Sequence, residues 1–280
     1  MNFKLYLISC IVLFFSCKKK EINDDSRFDT KIMILGHMGM GIYYSWPGNS
    51  KESISACIDI GCDGSEMDVQ MTQDSILVAY HDDDLNSQTT CAGKIHENKW
   101  ADIKQCEYNK SVNAAKLTNI DELFSSIKNL KQYYFSFDCK VNGITNNSIE
   151  FQKRFLRAVS RLLKKYQIEE QVFLEGPIEF LLLAKNMQLK TPLFLLSNND
   201  DSPSDKASLH GLLGVSIPYD ASVNDLEYAK SLNVRTMVWS PANYNQNKAT
   251  LLKKPDIIQT DDPYSILKLC KRFNYEAVRP

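Results

Sequence analysis

Short apolar segments rich in β-branched and aromatic residues recur along the chain, and most are separated by a helix-like segment. The eight segments are KIMILGH, DGSEMDV, YYFSFDCK, EQVFLEG, TPLFLLS, GLLGVSI, VRTMVWS and PDIIQT. A strand followed by a helix, repeated about eight times in roughly 250 residues, is typical of a closed parallel barrel surrounded by helices. The sequence therefore predicts an α/β fold, a single-domain (β/α)8 TIM barrel with a loop or hairpin insertion after strand two.

The helix candidates have apolar residues three or four positions apart. They cover residues 50–60, 121–130, 151–166, 178–187, 223–232 and 263–272. An open doubly wound sheet is the alternative, and it requires a phosphate-binding glycine turn that leads directly into a helix. The glycines of residues 36–44 are followed by the turn-like SWPGNS, so they are weak evidence for a dinucleotide site.

The N-terminus has the pattern of an export signal. Lys4 is followed by an apolar run that ends at Ser16-Cys17 and is too short to span a bilayer as a stable helix. Residues 1–16 resemble a bacterial lipoprotein signal peptide, which implies that Cys17 is lipidated. We expect a tether over residues 17–30, a barrel over residues 31–280, and an exported lipoprotein anchored to a membrane in the periplasm or at the cell surface. An ordinary secretory signal or a hydrophobic first helix would leave the position of Cys17 unexplained.

Charge and cysteine content exclude some classes of partner. The formal net charge is −1, and no basic face with interleaved aromatic residues is evident, so we expect no nucleic-acid partner. Six cysteines follow residue 17, and none has zinc-site spacing: Cys57, Cys62, Cys91, Cys106, Cys139 and Cys270. Most are expected to be small buried residues, although in an exported protein Cys91 and Cys106 could form a bridge.

Ionisable residues stand where the predicted strands end, which is the face of a (β/α)8 barrel that carries active sites. These strand ends hold His37, Glu66, Asp68, Asp138, Lys140, Glu175, Trp239 and Asp261. Glu66 and Asp68 are two residues apart on a strand and therefore point to the same face. With Asp138 from the neighbouring strand, they form a carboxylate set suited to Mg²⁺ or Ca²⁺. A solvent-exposed acidic strand end is the alternative.

Two of the four histidines, His37 and His81, fall close to these carboxylates in the predicted barrel. One imidazole can take a proton from an attacking oxygen while the other gives a proton to a leaving oxygen, each effect contributing ~10²–10⁴ in rate. His96 and His210 lie in polar contexts, and we assign them no role.

An ordered set of short motifs carries a family resemblance over residues 32–269. The motifs are His37-Met38-Gly39, Pro47-Gly48-Asn49-Ser50, Gly61-Cys62-Asp63-Gly64, Glu66-Met67-Asp68-Val69, Thr72-Gln73-Asp74 and His81-Asp82. Together they resemble the N-terminal signature of the glycerophosphodiester phosphodiesterases, which are (β/α)8 barrels. SFDCK, TMVWSPAN and DIIQTDDP are similar to later strand ends of that family.

The resemblance implies metal-dependent hydrolysis of a glycerophosphodiester to glycerol 3-phosphate and an alcohol. It implies that His37 and His81 are the acid–base pair. The metal ligands it implies for one divalent cation, Mg²⁺ or Ca²⁺, are Glu66, Asp68 and Asp138.

The resemblance also implies residues that contact the substrate. Lys140 would contact the phosphate, and Asn49 would hold the first loop or touch the metal site. Trp239 would line the groove for the glycerol or head group, or else be a packed core residue.

The chain departs from the family pattern at three positions. Met38 stands where the family has an arginine, Gly48 where it has a glutamate, and Asp138 where it has a longer glutamate. Two alternatives remain open. Tethering through Cys17 would allow a barrel phosphodiesterase of the phospholipase C or D type that acts on intact lipid. Met38 and Gly48 favour a catalytically weak surface lipoprotein that binds a phosphorylated lipid or glycan fragment. The sequence does not indicate an oligomeric state.

Overall fold

A computed structural model describes residues 31–41, 45–109, 114–141, 148–197 and 202–278. The signal peptide, the lipidation site Cys17 and the tether predicted for residues 1–30 lie outside these residues. Within the described part of the chain, no helix combines the length and the apolar character needed to cross a membrane.

Ten strands and nine α-helices are described. The strands are β1 Met33–Gly36, β2 Gly64–Met71, β3 Leu77–Ala79, β4 Thr118–Asn119, β5 Tyr134–Cys139, β6 Val172–Gly176, β7 Leu193–Leu196, β8 Gly214–Pro218, β9 Arg235–Trp239 and β10 Ile257–Thr260. The helices are α1 Lys51–Asp59, α2 Trp100–Ile103, α3 Ile120–Ser126, α4 Ile149–Tyr166, α5 Ile178–Asn186, α6 Pro203–Leu209, α7 Val223–Ser231, α8 Tyr244–Lys253 and α9 Pro263–Leu269. Short 3₁₀ turns occur at Leu85–Ser87, Ile95–Glu97, Leu130–Gln132 and Tyr275–Val278.

Eight of the strands form a closed parallel barrel in the order β1, β2, β5, β6, β7, β8, β9 and β10. The first strand closes the barrel because it pairs with both β2 and β10. These eight strands are the eight segments predicted from the sequence, and the predicted (β/α)8 fold is confirmed. The antiparallel strands β3 and β4 extend the sheet from β2, at the position of the predicted insertion.

The segment between β3 and β4 has its own small core. Nine buried residues form it: Val78, Tyr80, Leu85, Ile95, Ile103, Cys106, Tyr108, Ala115 and Leu117. A disulfide between Cys91 and Cys106 closes this segment across 15 positions. The bridge considered for this pair is therefore present, while Cys57, Cys62, Cys139 and Cys270 are buried free thiols.

Apolar side chains fill the amino-terminal half of the barrel interior. Leu35, Phe173, Phe194, Met237 and Ile257 form this plug, in which the rings of Phe173 and Phe194 meet edge to face at 5.4 Å. Because side chains alternate along a strand, the residues two positions further on again point inward. Three of those positions carry polar groups, namely His37, Glu175 and Gln259, and the other two carry Leu196 and Trp239. The barrel interior therefore becomes more polar toward the carboxyl ends of its strands.

Two helices of the outer ring were not predicted, namely α6 and α8. The buried residues of α6 are Ser204 and Ala207, and those of α8 are Asn247, Thr250 and Leu251. Neither helix has a continuous apolar stripe because small and polar residues make its contacts with the barrel. Apolar periodicity, the signal that identifies helices in a sequence, is therefore weak in both.

Candidate active site

A cavity of about 430 Å³ opens at the carboxyl ends of the barrel strands. Its lining includes seven of the eight residues predicted at strand ends: His37, Glu66, Asp68, Asp138, Lys140, Glu175 and Trp239. His81, which follows β3, lines the same space. The barrel thus brings the two predicted histidines and the three predicted carboxylates into one cavity.

The carboxylates lie close together because of strand register. Asp68 on β2 and Asp138 on β5 are paired across neighbouring strands, and Glu66 lies two residues before Asp68 on the same face. Glu66 and Asp68 are almost completely buried. Burial, reinforced by the Asp68 charge, holds the pKa of Glu66 well above its usual range. The Glu66 carboxylate also accepts a hydrogen bond of 2.8 Å from the backbone N–H of Met38.

Lys140 lies between two of these carboxylates. Its Nζ is 2.8 Å from Asp68 Oδ1 and 2.6 Å from Asp138 Oδ2. Burial would raise the pKa of Asp68, but the charge and hydrogen bond of Lys140, together with the charges of His81 and His37, outweigh it and the pKa is lowered. The pKa of Asp138 is instead raised, because burial and the Asp68 charge outweigh the attraction of Lys140. One cation therefore partly neutralises two acids.

In the part of the chain that the structure describes, no group of three or more His, Cys, Asp and Glu side chains is arranged, as it stands, to hold a metal ion. Contacts from two residues, Lys140 and Met38, account for this arrangement. Lys140 occupies the positions next to Asp68 and Asp138, and the Met38 N–H is directed at Glu66. The predicted metal site is therefore a set of oxygen donors that are already paired with protein hydrogen-bond donors.

His37 follows β1 and is held by the last strand of the barrel. Its Nδ1 lies 2.8 Å from Asp261 Oδ1 and 3.3 Å from the Ser240 hydroxyl. Its Nε2 lies 3.8 Å from Glu66 Oε2, toward the carboxylates. Burial alone would lower the pKa of His37, but the negative charges of Glu66, Asp261 and Asp68 raise it to about 9.

His81 lies at the start of the segment between β3 and β4, and its side chain is 51% exposed. Its Nδ1 lies 2.7 Å from Asp82 Oδ1, and the other carboxylate oxygen of Asp82 accepts a 2.8 Å hydrogen bond from Gln88. The backbone N–H of Tyr80 donates to the carbonyl of Asp68, which ties this segment to the end of β2. His81 therefore enters the cavity from the insertion.

Asn49 holds the loop between β1 and α1 against the carboxylates. Its side-chain amide donates to Asp68 Oδ2 at 2.6 Å, and its Oδ1 accepts from the Asp68 N–H at 3.0 Å. Its own backbone N–H donates to the carbonyl of Met38. Asn49 has a φ of 66°, a left-handed conformation that asparagine adopts more readily than most residues. Asn49 thus contacts both the first loop and a predicted metal ligand.

Trp239, the last residue of β9, lines the cavity and is partly exposed. Its indole N–H is buried and has no hydrogen-bond partner among the described residues. The structure thus places Trp239 at the cavity wall.

Several functional neighbours were not assigned from the sequence. Asp261 was identified as a strand end but was not connected with His37, and Asp82 was identified in the His-Asp motif without a role. Gln259 and Ser240 were not singled out, although both line the cavity. The pairing of β1 with β10 brings Asp261 to His37, and this long-range contact has no local signal in the sequence.

A model of the Glycerophosphoryl diester phosphodiesterase family matches residues 37–265. The chain belongs to this family. Among curated proteins, the uncharacterized protein YqiK of Bacillus subtilis is 27% identical to this chain over 146 residues, which cover 50% of this chain and 56% of that protein. A glycerophosphodiester phosphodiesterase of Caldanaerobacter subterraneus subsp. tengcongensis is 23% identical over 150 residues, 52% of this chain and 58% of that protein. The chain therefore matches little more than half the length of these relatives.

The same fold occurs in a solved structure of an Oleispira antarctica phosphodiesterase in complex with the product sn-glycerol-3-phosphate. The two share 16% sequence identity with a TM-score of 0.73, and the match covers 85% of this chain and 96% of that one. At this identity the likeness concerns the fold. The fold of that structure is thus present in this chain over almost its whole length.

Proposed function

We propose that this chain hydrolyses glycerophosphodiesters to glycerol 3-phosphate and an alcohol. One observation carries the proposal: His37, His81 and the carboxylates Glu66, Asp68 and Asp138 line a single cavity. Membership of the glycerophosphoryl diester phosphodiesterase family supports the same reaction class. The named activity of the Caldanaerobacter relative and the product bound in the Oleispira structure also support it.

We further propose that Glu66, Asp68 and Asp138 hold one divalent cation, Mg²⁺ or Ca²⁺. The donors fit such an ion because they are carboxylate oxygens, the ligands that hard cations prefer. The raised pKa of Glu66, caused by burial and by the neighbouring Asp68, indicates repulsion that a second positive charge would relieve. A bound cation would polarise the phosphoryl oxygens and offset their charge.

The remaining residues act directly on the substrate. His37 and His81 exchange protons with the attacking and leaving oxygens of the phosphodiester. Lys140 contacts a phosphate oxygen through its ammonium group, and the low exposure of its partner Asp68 strengthens such contacts. Trp239 contacts the glycerol or head group at the wall of the cavity.

Turnover of glycerophosphocholine and of bis(p-nitrophenyl) phosphate by the full chain, with Mg²⁺, Ca²⁺ or EDTA, tests the proposal. We expect metal-dependent turnover that falls by ~10²-fold or more in His37→Ala and in His81→Ala. His210→Ala is the matched control because His210 ends α6 and is not among the lining residues of the cavity. The absence of turnover with either ion would contradict the proposal and favour a binding protein. Faster turnover of an intact phospholipid would favour the phospholipase alternative.

We also propose that residues 1–16 are a lipoprotein signal peptide and that Cys17 anchors the chain to a membrane. The position of Cys17 directly after the apolar run supports this. Labelled palmitate supplied to cells of a bacterial expression host should be incorporated into the chain. Incorporation should disappear in Cys17→Ser and persist in the control Cys10→Ser, and labelling that survives Cys17→Ser would refute the anchor.

A further inference from the structure

The two histidines of the cavity share an arrangement that their roles as proton carriers do not require. Each has an aspartate oxygen at hydrogen-bond distance from Nδ1. Asp261 Oδ1 lies 2.8 Å from His37, and Asp82 Oδ1 lies 2.7 Å from His81. Asp261 comes from the end of the barrel and Asp82 from the insertion, so two unrelated parts of the fold supply the same contact.

A carboxylate next to Nδ1 determines which ring nitrogen carries the proton. An ionised carboxylate only accepts hydrogen bonds, so the neutral ring must carry its proton on Nδ1. Nε2 then has a free lone pair, and the ring orientation is fixed at the same time. In His37 this nitrogen lies on the side of Glu66, which is the side of the proposed metal site.

We propose that Asp261 and Asp82 are positioning residues for His37 and His81, which present Nε2 to the phosphodiester. This inference rests on the proposed function for its catalytic consequence, but the proton location that it specifies is a property of the free protein. Neither aspartate acts on the substrate itself.

Asp82 is in turn held by the insertion. Its second oxygen accepts a hydrogen bond from Gln88 Nε2, and its backbone carbonyl accepts one of 2.8 Å from Gln70 Nε2. The carbonyl of Gln88 accepts the N–H of Asn109, and the next residue, Thr89, forms an isolated β-bridge with Tyr108 beside the disulfide. The position of His81 therefore depends on a chain of contacts that begins in the disulfide-closed segment.

The His37–Asp261 and His81–Asp82 pairs differ in their surroundings, and this difference predicts that loss of the two aspartates has unequal effects on the two rings. The His37 ring is 20% exposed and also has the Ser240 hydroxyl near Nδ1, whereas the His81 ring is 51% exposed. Among the described residues, Asp82 is the hydrogen-bond partner of the His81 ring. Loss of Asp82 should therefore leave His81 less well oriented than loss of Asp261 leaves His37.

Steady-state kinetics of Asp82→Asn and Asp261→Asn in the full chain test the proposal. An asparagine amide can donate to Nδ1 and so favours the wrong tautomer. We expect kcat to fall ~10–100-fold while KM changes less than about threefold, with a larger fall for Asp82→Asn. Asp84→Asn and Asp262→Asn are the matched controls, because Asp84 is not a lining residue and Asp262 caps α9 through an oxygen that asparagine retains. A fall in the controls of the same size would overturn the proposal.

Ring-nitrogen NMR of the same variants separates this inference from the proposed function. Because the pKa of His37 is raised to about 9, the spectra are recorded above about pH 10, where that ring is neutral. Two-bond ¹H–¹⁵N correlations should then locate the proton of both rings on Nδ1 in the unsubstituted chain. In each asparagine variant the proton should move to Nε2 of the affected ring. If these tautomers occur in a chain without turnover, the proposed function fails while the positioning holds. Protons on Nε2 in the unsubstituted chain, or shifted tautomers with unchanged kcat, would overturn the positioning.

Discussion

Replacing Lys140 by methionine should destabilise the protein by leaving two acids without their shared cation. Methionine keeps most of the aliphatic chain, so the change removes the charge more than the packing. Removing one partner of a buried ion pair costs about 3–5 kcal/mol. We expect the lower end, about 3 kcal/mol, because the side chains of Lys140 and Asp138 are 26% and 18% exposed and water can partly replace the lost contact.

The assay is urea unfolding in EDTA, with Lys165→Met as the control. Lys165 lies 2.6 Å and 2.7 Å from the two oxygens of Asp121, so its ion pair is as short as those of Lys140. The side chains of Lys165 and Asp121 are 56% and 45% exposed, however, and solvent screens their attraction. The free energy of unfolding should therefore fall far less in the control. Equal losses in the two variants would refute the argument that burial makes the Lys140 contacts important.

A divalent cation should partly reverse the effect of Lys140→Met. If Glu66, Asp68 and Asp138 bind the ion, it supplies the positive charge that the variant lacks. Binding at a hundredfold excess over Kd stabilises the folded state by about 2.7 kcal/mol. We expect Ca²⁺ or Mg²⁺ to stabilise the variant more than the unsubstituted chain, which still has Lys140 in place. The same increment in both proteins would show that the ion does not bind beside Asp68 and Asp138.

Three further predictions concern the fold. Cys91→Ser/Cys106→Ser should lower the free energy of unfolding in urea by up to about 3 kcal/mol, because the bridge closes a segment of 15 positions. It should also reduce kcat, because Gln88, which lies just before that segment, holds Asp82 beside His81. An unchanged unfolding midpoint would contradict this. Gly64→Ala should cost about 4 kcal/mol or more in the same assay, because its Cβ would collide with the backbone carbonyl of the residue beside it on β5; near-normal stability would contradict this. Asp121→Asn should destabilise the protein at neutral pH but not in acid. Partial burial would raise the pKa of Asp121, but hydrogen bonds from a lysine and a tyrosine of α4 lower it below 3.8. The stability that the Asp121 carboxylate contributes is therefore present above pH 3.8 and is lost as the pH falls through the lowered pKa. Unfolding free energies that differ equally at both pH values would exclude that linkage.

The barrel was predictable because its strands carry a local signal. Each of the eight is a short apolar segment, and the parallel arrangement follows from the helices between them. The residues at strand ends were predictable for the same reason, since a closed barrel gathers all strand ends at one face. The sequence therefore places Glu66, Asp68 and Asp138 together.

The orientation of the site residues could not be predicted in the same way. His37 and Asp261 are 224 positions apart, and they meet only because β1 pairs with β10 when the barrel closes. The sequence likewise did not indicate that Lys140 contacts both Asp68 and Asp138. The partner of a buried charge depends on side-chain distances of a few ångströms, which cannot be derived from the sequence. Helices α6 and α8 were missed for a different reason. Small and polar residues make most of their contacts with the barrel, so they lack the apolar periodicity that identifies a helix.

Two departures from the family pattern are connected in the structure. A Cβ placed on Gly48 would lie 3.0 Å from Met38 Cβ and 3.2 Å from its sulfur, closer than normal packing allows. Met38 is almost completely buried and has a φ of 51°, so it has little freedom to move away. A side chain at position 48 would therefore press against the present side chain of Met38, and glycine avoids this contact.

A double-mutant cycle tests this connection. Gly48→Ala alone should cost about 1–2 kcal/mol in urea unfolding, because overpacking forces neighbouring groups apart. In a Met38→Gly background the same substitution should cost little, since the atoms it meets are absent and glycine suits the left-handed φ. The coupling energy between the two positions should thus be about 1–2 kcal/mol. Additive effects would mean that the loop relaxes around residue 48, and that Met38 and Gly48 replaced the arginine and glutamate independently.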